Sequence, residues 1–208
     1  MSHVAGWVIV WILVVFAILA ALTEVYFKRS KQRERDRMDR EWRATEAQIR
    51  SSLNSMDRRS LIADVRARAS QHHDYLNQIC LYTATALNAP AAVITVVEHE
   101  GQRWLAYHGA DWCGEESRSG AILPLETSYC KYVVVTDQPL VIADSLKDIR
   151  VRTADGLTKE EVRAYIGAPV HAEDGTPVGS LCVFDNKPRN WSQRDQSIVS
   201  SFADLVRL

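Results

Sequence analysis

The chain has 208 residues, room for one domain of ordinary size with segments to spare. Its formal net charge of −1 supplies no basic field, so nucleic acid is excluded as a partner. Its 47% hydrophobic content is ordinary for a globular protein, but much of it is concentrated in the first few turns.

From Val4 to Leu22 there is no charged residue. Roughly 20 apolar residues, rising about 1.5 Å each, cross a hydrocarbon core of about 30 Å. Trp7 stands near one end of this run and Tyr26 and Phe27 near the other, as aromatic belts do. Lys28, Arg29, Lys31, Arg33, Arg35 and Arg37 follow, and no Lys or Arg precedes the run. This asymmetry predicts a single-pass helix over residues 1–27, with the N-terminus outside and the body of the protein on the cytoplasmic side of the cell membrane. A cleaved signal peptide fits less well, because the charges flank the wrong side and AALTE is a poor cleavage site. A buried core helix is usually shorter and amphipathic.

Residues 28–70 read as a charged helical connector. From Lys28 to about Arg68 there is no Pro or Gly, and Arg, Glu, Asp, Gln and Ala abound. Met38, Trp42, Ile49, Leu53, Met56, Leu61, Ile62 and Val65 trace an interrupted stripe. Trp42, Ile49 and Met56 share a heptad position, while the partnering position holds Thr45, Ser52 and Arg59. Two readings stay open: a coiled-coil homodimer that passes movement along its axis, or a solvated spacer. The basic residues after Phe27 could meet anionic lipid, but determining topology already explains them.

Residues 71–208 have a different texture. Leu76, Ile79, Cys80, Thr83 and Leu87 lie on one face of a helix that ends before Asn88-Ala89-Pro90. Val93–Val97 and Arg103–Tyr107 form a hairpin about Glu100-Gly101. A helix is expected over Glu126–Thr136, with Thr127 or Ser128 as cap, and a short strand over Pro139–Ala143. Asp144–Ile149 reads as a turn and Lys159–Arg163 as a short helix capped by Thr158. Strands are expected over Tyr165–Ala172 and Val178–Phe184, joined by the turn Glu173–Pro177. Ser192 caps a final amphipathic helix carrying Ile198, Val199, Phe202, Leu205 and Val206. The pattern is α+β: a central antiparallel sheet flanked by helices.

The stretches GQRWLAYHG, ETSYCKYVVVTDQPLVIADSLKDIRV, YIGAPVHAEDGTPVGSLCVFDNKPR and WSQRDQSIVSSFADL, in this order and spacing, resemble the GAF domain family over nearly everything from Asp74 to Leu208. The resemblance implies helices on one face of the sheet, and on the other short helices and loops that often enclose a small-molecule pocket. It implies no single chemistry.

The resemblance implies four chemistries found among such domains. Free methionine sulfoxide reductases bring a nucleophilic and a resolving cysteine together over the pocket. Cys130, near a helix start, suits the first role, but Asp144–Tyr165, where those enzymes place further cysteine, has none. Cys130 therefore reads as pocket wall, and the reductase stays a minor alternative. The cyclic-nucleotide signature is approached by Asn186-Lys187, Trp191 and Asp195-Gln196, with Trp for Phe and Gln for Glu. Asp195 is as well explained as a first-turn acid and Trp191 as a hydrophobic staple. Bilin attachment lacks its Cys-His pair, and none of His3, His72, His73, His99, His108 and His171 reads as a haem ligand.

Trp104, Tyr129 and Tyr165 are candidates for an apolar pocket with polar tips, or for core. Asp144 and Arg150, with Asp148, form a cluster that either meets an anionic ligand or, as we favour, works as turn caps and local pairs. The ligand-binding candidates are therefore Trp104, Tyr129, Cys130, Asp144, Arg150 and Tyr165. No catalytic residue, metal ligand or cofactor is assigned. Cys80, Cys113, Cys130 and Cys182 show no CxxC spacing, and free thiols are expected because Cys80 and Cys182 sit in apolar runs. The functional expectation is a membrane-tethered cytoplasmic sensory module, not an enzyme, that binds a small ligand or signalling partner. No output segment follows the final helix, so output passes through a partner or self-association. A ligand-free interaction scaffold is the alternative from another class, favoured if Trp104, Tyr129 and Tyr165 fill the cavity themselves.

Overall fold

In a computed structural model, residues 11, 19, 21–34, 36–37, 40, 44, 47, 49, 51–54, 56–109, 111, 113, 120–148, 150–151 and 162–208 are described. Two compact units are present, Met1–Ala47 and Gln48–Leu208. Among the described residues no helix is long and apolar enough to cross a membrane. Most of the apolar run Val4–Leu22, on which a span is expected, lies outside them, as do Trp42 and Thr45 of the expected seam. In the first unit residues 21–34 are helical and exposed, with Lys28 paired to Glu24 at 2.7 Å.

The connector is not one unbroken helix. Leu53 and Asn54 form a turn, and helix α1 begins afresh at Met56–Gln71. At the break the Asn54 amide bonds to Ser51 O at 3.3 Å, and its side-chain oxygen accepts from Arg59 Nη2 at 2.7 Å. Ile49 and Leu53 are buried. Helix α2, His73–Ala86, follows and ends where Asn88 turns left-handed at φ 46°.

The hairpin of β1, Ala91–Val97, and β2, Gly101–Gly109, carries a bulge between Ile94 and Thr95. Strand β3, Leu123–Pro124, leads through a single 3₁₀ turn, Leu125–Thr127, into helix α3, Cys130–Thr136. α3 therefore starts later than the sequence suggests. Ser128 still serves its first turn, accepting from the Lys131 amide at 3.1 Å and donating to Gln102 at 2.7 Å. β4 is Leu140–Ile142, β5 Ala164–His171 and β6 Pro177–Asp185. The expected helix at Lys159–Arg163 lies mostly outside the described residues, and Val162 and Arg163 are not helical. Helix α4, Gln193–Ala203, stops short of Leu205 and Val206, although Val206 remains buried. Its start is a reciprocal capping box of Ser192 and Asp195. Trp191 is no staple, because its partner position is the polar Gln196; its indole donates to Ile142 O at 3.2 Å instead.

The strands form one antiparallel sheet in the order β3-β2-β1-β6-β5-β4. The period of two along each strand sorts the side chains. Ala92, Ile94 and Val96, with Ile166, Ala168, Val170, Leu181 and Val183, pack under α1, α2 and α4 in one hydrophobic core. The intervening positions, Thr95, Tyr165, Cys182 and Phe184, lie on the opposite face with α3. All seven residues of β1 are buried, so both faces are covered, and an all-apolar strand suits that position.

Candidate functional site

The face opposite the helical layer encloses a cavity of about 20 Å³, lined chiefly by Thr95, Trp104, Tyr129, Cys130, Tyr165, Cys182 and Phe184. That volume holds about one water. Four of the sequence-derived candidates, Trp104, Tyr129, Cys130 and Tyr165, thus converge on one place from β2, the approach to α3, α3 itself and β5. Tyr129 and Tyr165 meet edge to face with ring centroids 5.5 Å apart, and Trp104 packs against Phe184 at 6.2 Å. These rings fill most of the available space.

The polar floor is concentrated. Cys130 Sγ lies 4.0 Å from Cys182 Sγ and 3.4 Å from the Tyr165 hydroxyl, which is 3.4 Å from Ser180 Oγ. The Cys182 thiol also lies 3.4 Å from Val93 O, where it donates. The hydrogen bond between Cys130 and Cys182 outweighs burial and pulls the Cys130 thiol down to about 7, while the same bond, with burial, pushes Cys182 up. Burial raises the Tyr165 phenol, so at neutral pH it keeps its proton and remains a donor. Burial likewise raises Tyr129. The buried Tyr129 hydroxyl and Ser145 Oγ interact with one another, short of full hydrogen-bond geometry, and that contact opposes the effect of burial on Tyr129. All four cysteines are buried free thiols.

Asp144 and Arg150 stand elsewhere, each in a local structural pair. Asp144 accepts from Arg163 Nη2 at 2.8 Å and from the Leu146 amide at 3.3 Å, and the Arg163 bond holds its carboxyl below the usual range. Arg150 Nε and Nη2 grip the two oxygens of Asp148 at 2.9 and 2.5 Å, and Arg150 also donates to Val141 O at 2.6 Å. Burial pushes Asp148 up, but the Arg150 bonds prevail and leave it lowered. Neither residue lines the cavity.

Sequence reasoning missed Thr95, Cys182 and Phe184. Cys182 reads as an ordinary apolar strand position. The available signal was strand parity: Ser180, Cys182 and Phe184 alternate with the core residues Leu181 and Val183 and must face away from them.

A profile of the GAF domain matches residues 71–208. A curated relative, the cyclic di-GMP phosphodiesterase PA2567 of Pseudomonas aeruginosa, is 29% identical over 135 residues, which are 64% of this chain and 22% of that protein. The chain thus spans about a fifth of that relative's length. The GAF domain of an Acinetobacter phosphoenolpyruvate-protein phosphotransferase superposes with a TM-score of 0.53 at 18% identity, covering 72% of this chain and 89% of that one. A type II free methionine-R-sulfoxide reductase from Thermoplasma acidophilum superposes with a TM-score of 0.52 at 19% identity, covering 69% of this chain and 99% of that one. At these identities the superpositions speak to fold alone. The profile, spanning well over half the chain, settles the family: this protein belongs to the GAF domain family.

Proposed function

We propose that this chain is a membrane-tethered regulatory module whose GAF domain binds a small ligand or a signalling partner on the cytoplasmic side and passes that state to the connector, without catalysing a reaction of its own. The observation that carries the ligand reading is the cavity beneath α3, where Trp104, Tyr129, Cys130 and Tyr165 converge and the Cys130 thiol and Tyr165 hydroxyl lie 3.4 Å apart. The tether rests on the uncharged run Val4–Leu22 and the basic residues after Phe27. The likeness to a cyclic di-GMP phosphodiesterase supports a place in the control of that nucleotide's turnover, through a partner or a further domain.

Native mass spectrometry of the full chain, purified in detergent, tests the reading. A bound small mass, or a dimer that dissociates when residues 28–70 are deleted, supports it. A strictly monomeric chain without bound mass overturns it in favour of a scaffold whose aromatic side chains close the cavity. Alkaline extraction of membranes tests the tether: the full chain is expected in the pellet and residues 28–208 in the supernatant.

A further inference from the structure

We propose that Cys130 and Cys182 are a redox-active dithiol, oxidised by hydrogen peroxide to an intramolecular disulfide within the cavity beneath α3. The two sulfurs, on different elements and 52 residues apart in sequence, stand 4.0 Å from one another. They share their surroundings with the hydroxyls of Tyr165 and Ser180 and with Thr95. A cavity of about 20 Å³ suits an oxidant near the size of water and excludes bulky ones such as glutathione disulfide. The Cys182 proton is committed to Val93 O, while Cys130 Sγ lies beside the Tyr165 hydroxyl and has its thiol lowered toward neutrality, which makes Cys130 the attacking sulfur.

The chemistry closes with peroxide as the sole oxidant. The Cys130 thiolate attacks one peroxide oxygen, the O–O bond breaks, and the departing hydroxide takes a proton to leave as water. Cys130 is then a sulfenic acid, having given two electrons to the peroxide. The Cys182 sulfur attacks the Cys130 sulfur, the S–O bond breaks, and the expelled hydroxide combines with the Cys182 proton as a second water. Two thiols and one hydrogen peroxide thus become one disulfide and two waters. The Tyr165 hydroxyl, 3.4 Å from Cys130 Sγ and still protonated, is placed to donate to the departing oxygen.

Forming the bond brings sulfurs now 4.0 Å apart to about 2.05 Å. Cys182 sits within β6, paired on one side to Val93 and on the other to Gly167, so the sheet holds it. Cys130 is the first residue of the seven-residue α3, so closing the bond draws the start of α3 toward β6. The inference deepens the regulatory reading and rests on it for the consequence, oxidation displacing α3, but not for the chemistry.

The test treats the reduced full chain in detergent with a small excess of hydrogen peroxide, followed by thiol counting, intact mass and peptide mapping. The expected result is loss of two thiols and two hydrogens, with a peptide joining Cys130 to Cys182. Cys182→Ser is expected to halt at a Cys130 sulfenic acid trapped by dimedone, while Cys80→Ser and Cys113→Ser react as the parent does. If Cys182→Ser does not fold, mapping of the parent decides alone. Free Cys130 and Cys182 after treatment that oxidises the urea-unfolded chain, or a disulfide to Cys80 or Cys113, overturns the proposal. Hydrogen exchange separates the two readings. A Cys130–Cys182 disulfide with unchanged exchange in α1 upholds the dithiol and removes the signalling consequence. Free thiols alongside a different bound small molecule remove the dithiol and leave the regulatory reading standing.

Discussion

Tyr165 occupies the space that a side chain at Gly167 would take. A Cβ built on Gly167 falls 2.8 Å from the Tyr165 ring carbon that bears the hydroxyl, closer still to the hydroxyl oxygen, and 2.9 Å from Ser180 Oγ. Both residues belong to β5 and point to the same face, two positions apart, so the bare glycine lets the ring lie along the strand toward Cys130. The glycine is needed here for this close approach.

Gly167→Ala is therefore expected to destabilise the domain by about 1–3 kcal/mol, the usual range for forcing atoms into a packed site. It also moves the Tyr165 hydroxyl off Cys130. Urea denaturation reads the first effect and the rate of Cys130 alkylation the second. Tyr165→Phe in the same chain should recover part of the stability, because the hydroxyl is the group in closest conflict; strictly additive losses would show that Tyr165 is not what the new methyl meets.

The Asp144–Arg163 pair gives a pH prediction. Hydrogen bonding from Arg163 lowers the folded-state affinity of this carboxylate for a proton below its ordinary value of 3.8. A depressed carboxylate contributes stability that is fully present above the unfolded value and is lost as pH falls through the folded one. Asp144→Asn is expected to lower the melting temperature at pH 7, and the gap to the parent should close progressively below about pH 3.8. A gap that persists unchanged at pH 2 would assign the loss to packing rather than to charge.

How much of this was legible beforehand depends on how local the cause was. Strands β1, β2, β5 and β6 show in the sequence because β-branched and apolar runs and the turn residues between them, such as Gly175 at φ 84°, act within a few positions. Ser192 as a cap is equally local. The break at Asn54 was hidden because an Asn within a charged stretch is also tolerated in a helix. Trp104, Tyr129, Cys130 and Tyr165 were found as aromatic or reactive side chains in the resembling stretches. Cys182 was not, because its importance is a distance between β6 and Cys130 on α3 that no spacing encodes. Asp144 and Arg150 have the right chemistry for an anion, but their nearest opposite charges, Arg163 and Asp148, already satisfy them.

The Ser192–Asp195 box offers a test of α4 alone. Ser192 Oγ accepts from the Asp195 amide at 3.2 Å, and the Asp195 carboxylate accepts from the Ser192 amide at 2.7 Å. Ser192→Ala removes one half and should cost about 1 kcal/mol, whereas Ser192→Gly should cost only a few tenths. Equilibrium urea unfolding resolves the two; equal costs would mean that α4 is held by Val199 and Ala203 in the core and not by its cap.

Arg58 ties α1 to the strands that carry the cavity floor, and this is where a change at the cavity could reach the connector. Its Nη1 donates to Pro177 O at 2.9 Å and its Nη2 to Val97 O at 3.3 Å. Pro177 opens β6, which carries Cys182, and Val97 closes β1, which carries Thr95. The guanidinium therefore bridges two neighbouring strands across their register, where β6 pairs with β1 from Phe184 opposite Ala91 to Gly179 opposite Val96. Arg58→Ala leaves two carbonyls without this donor and, at a half-buried site, should cost about 1–2 kcal/mol. Arg58→Lys keeps the charge but loses the fork that spans both carbonyls, so it should recover only part of the loss. The decisive measurement is amide exchange in α1: both variants are expected to speed it while leaving β1 and β6 protected. Protection in α1 equal to the parent's would mean that Ile62, Val65 and Ala69 alone hold α1 on the sheet. Arg58 would then be surplus to the connection.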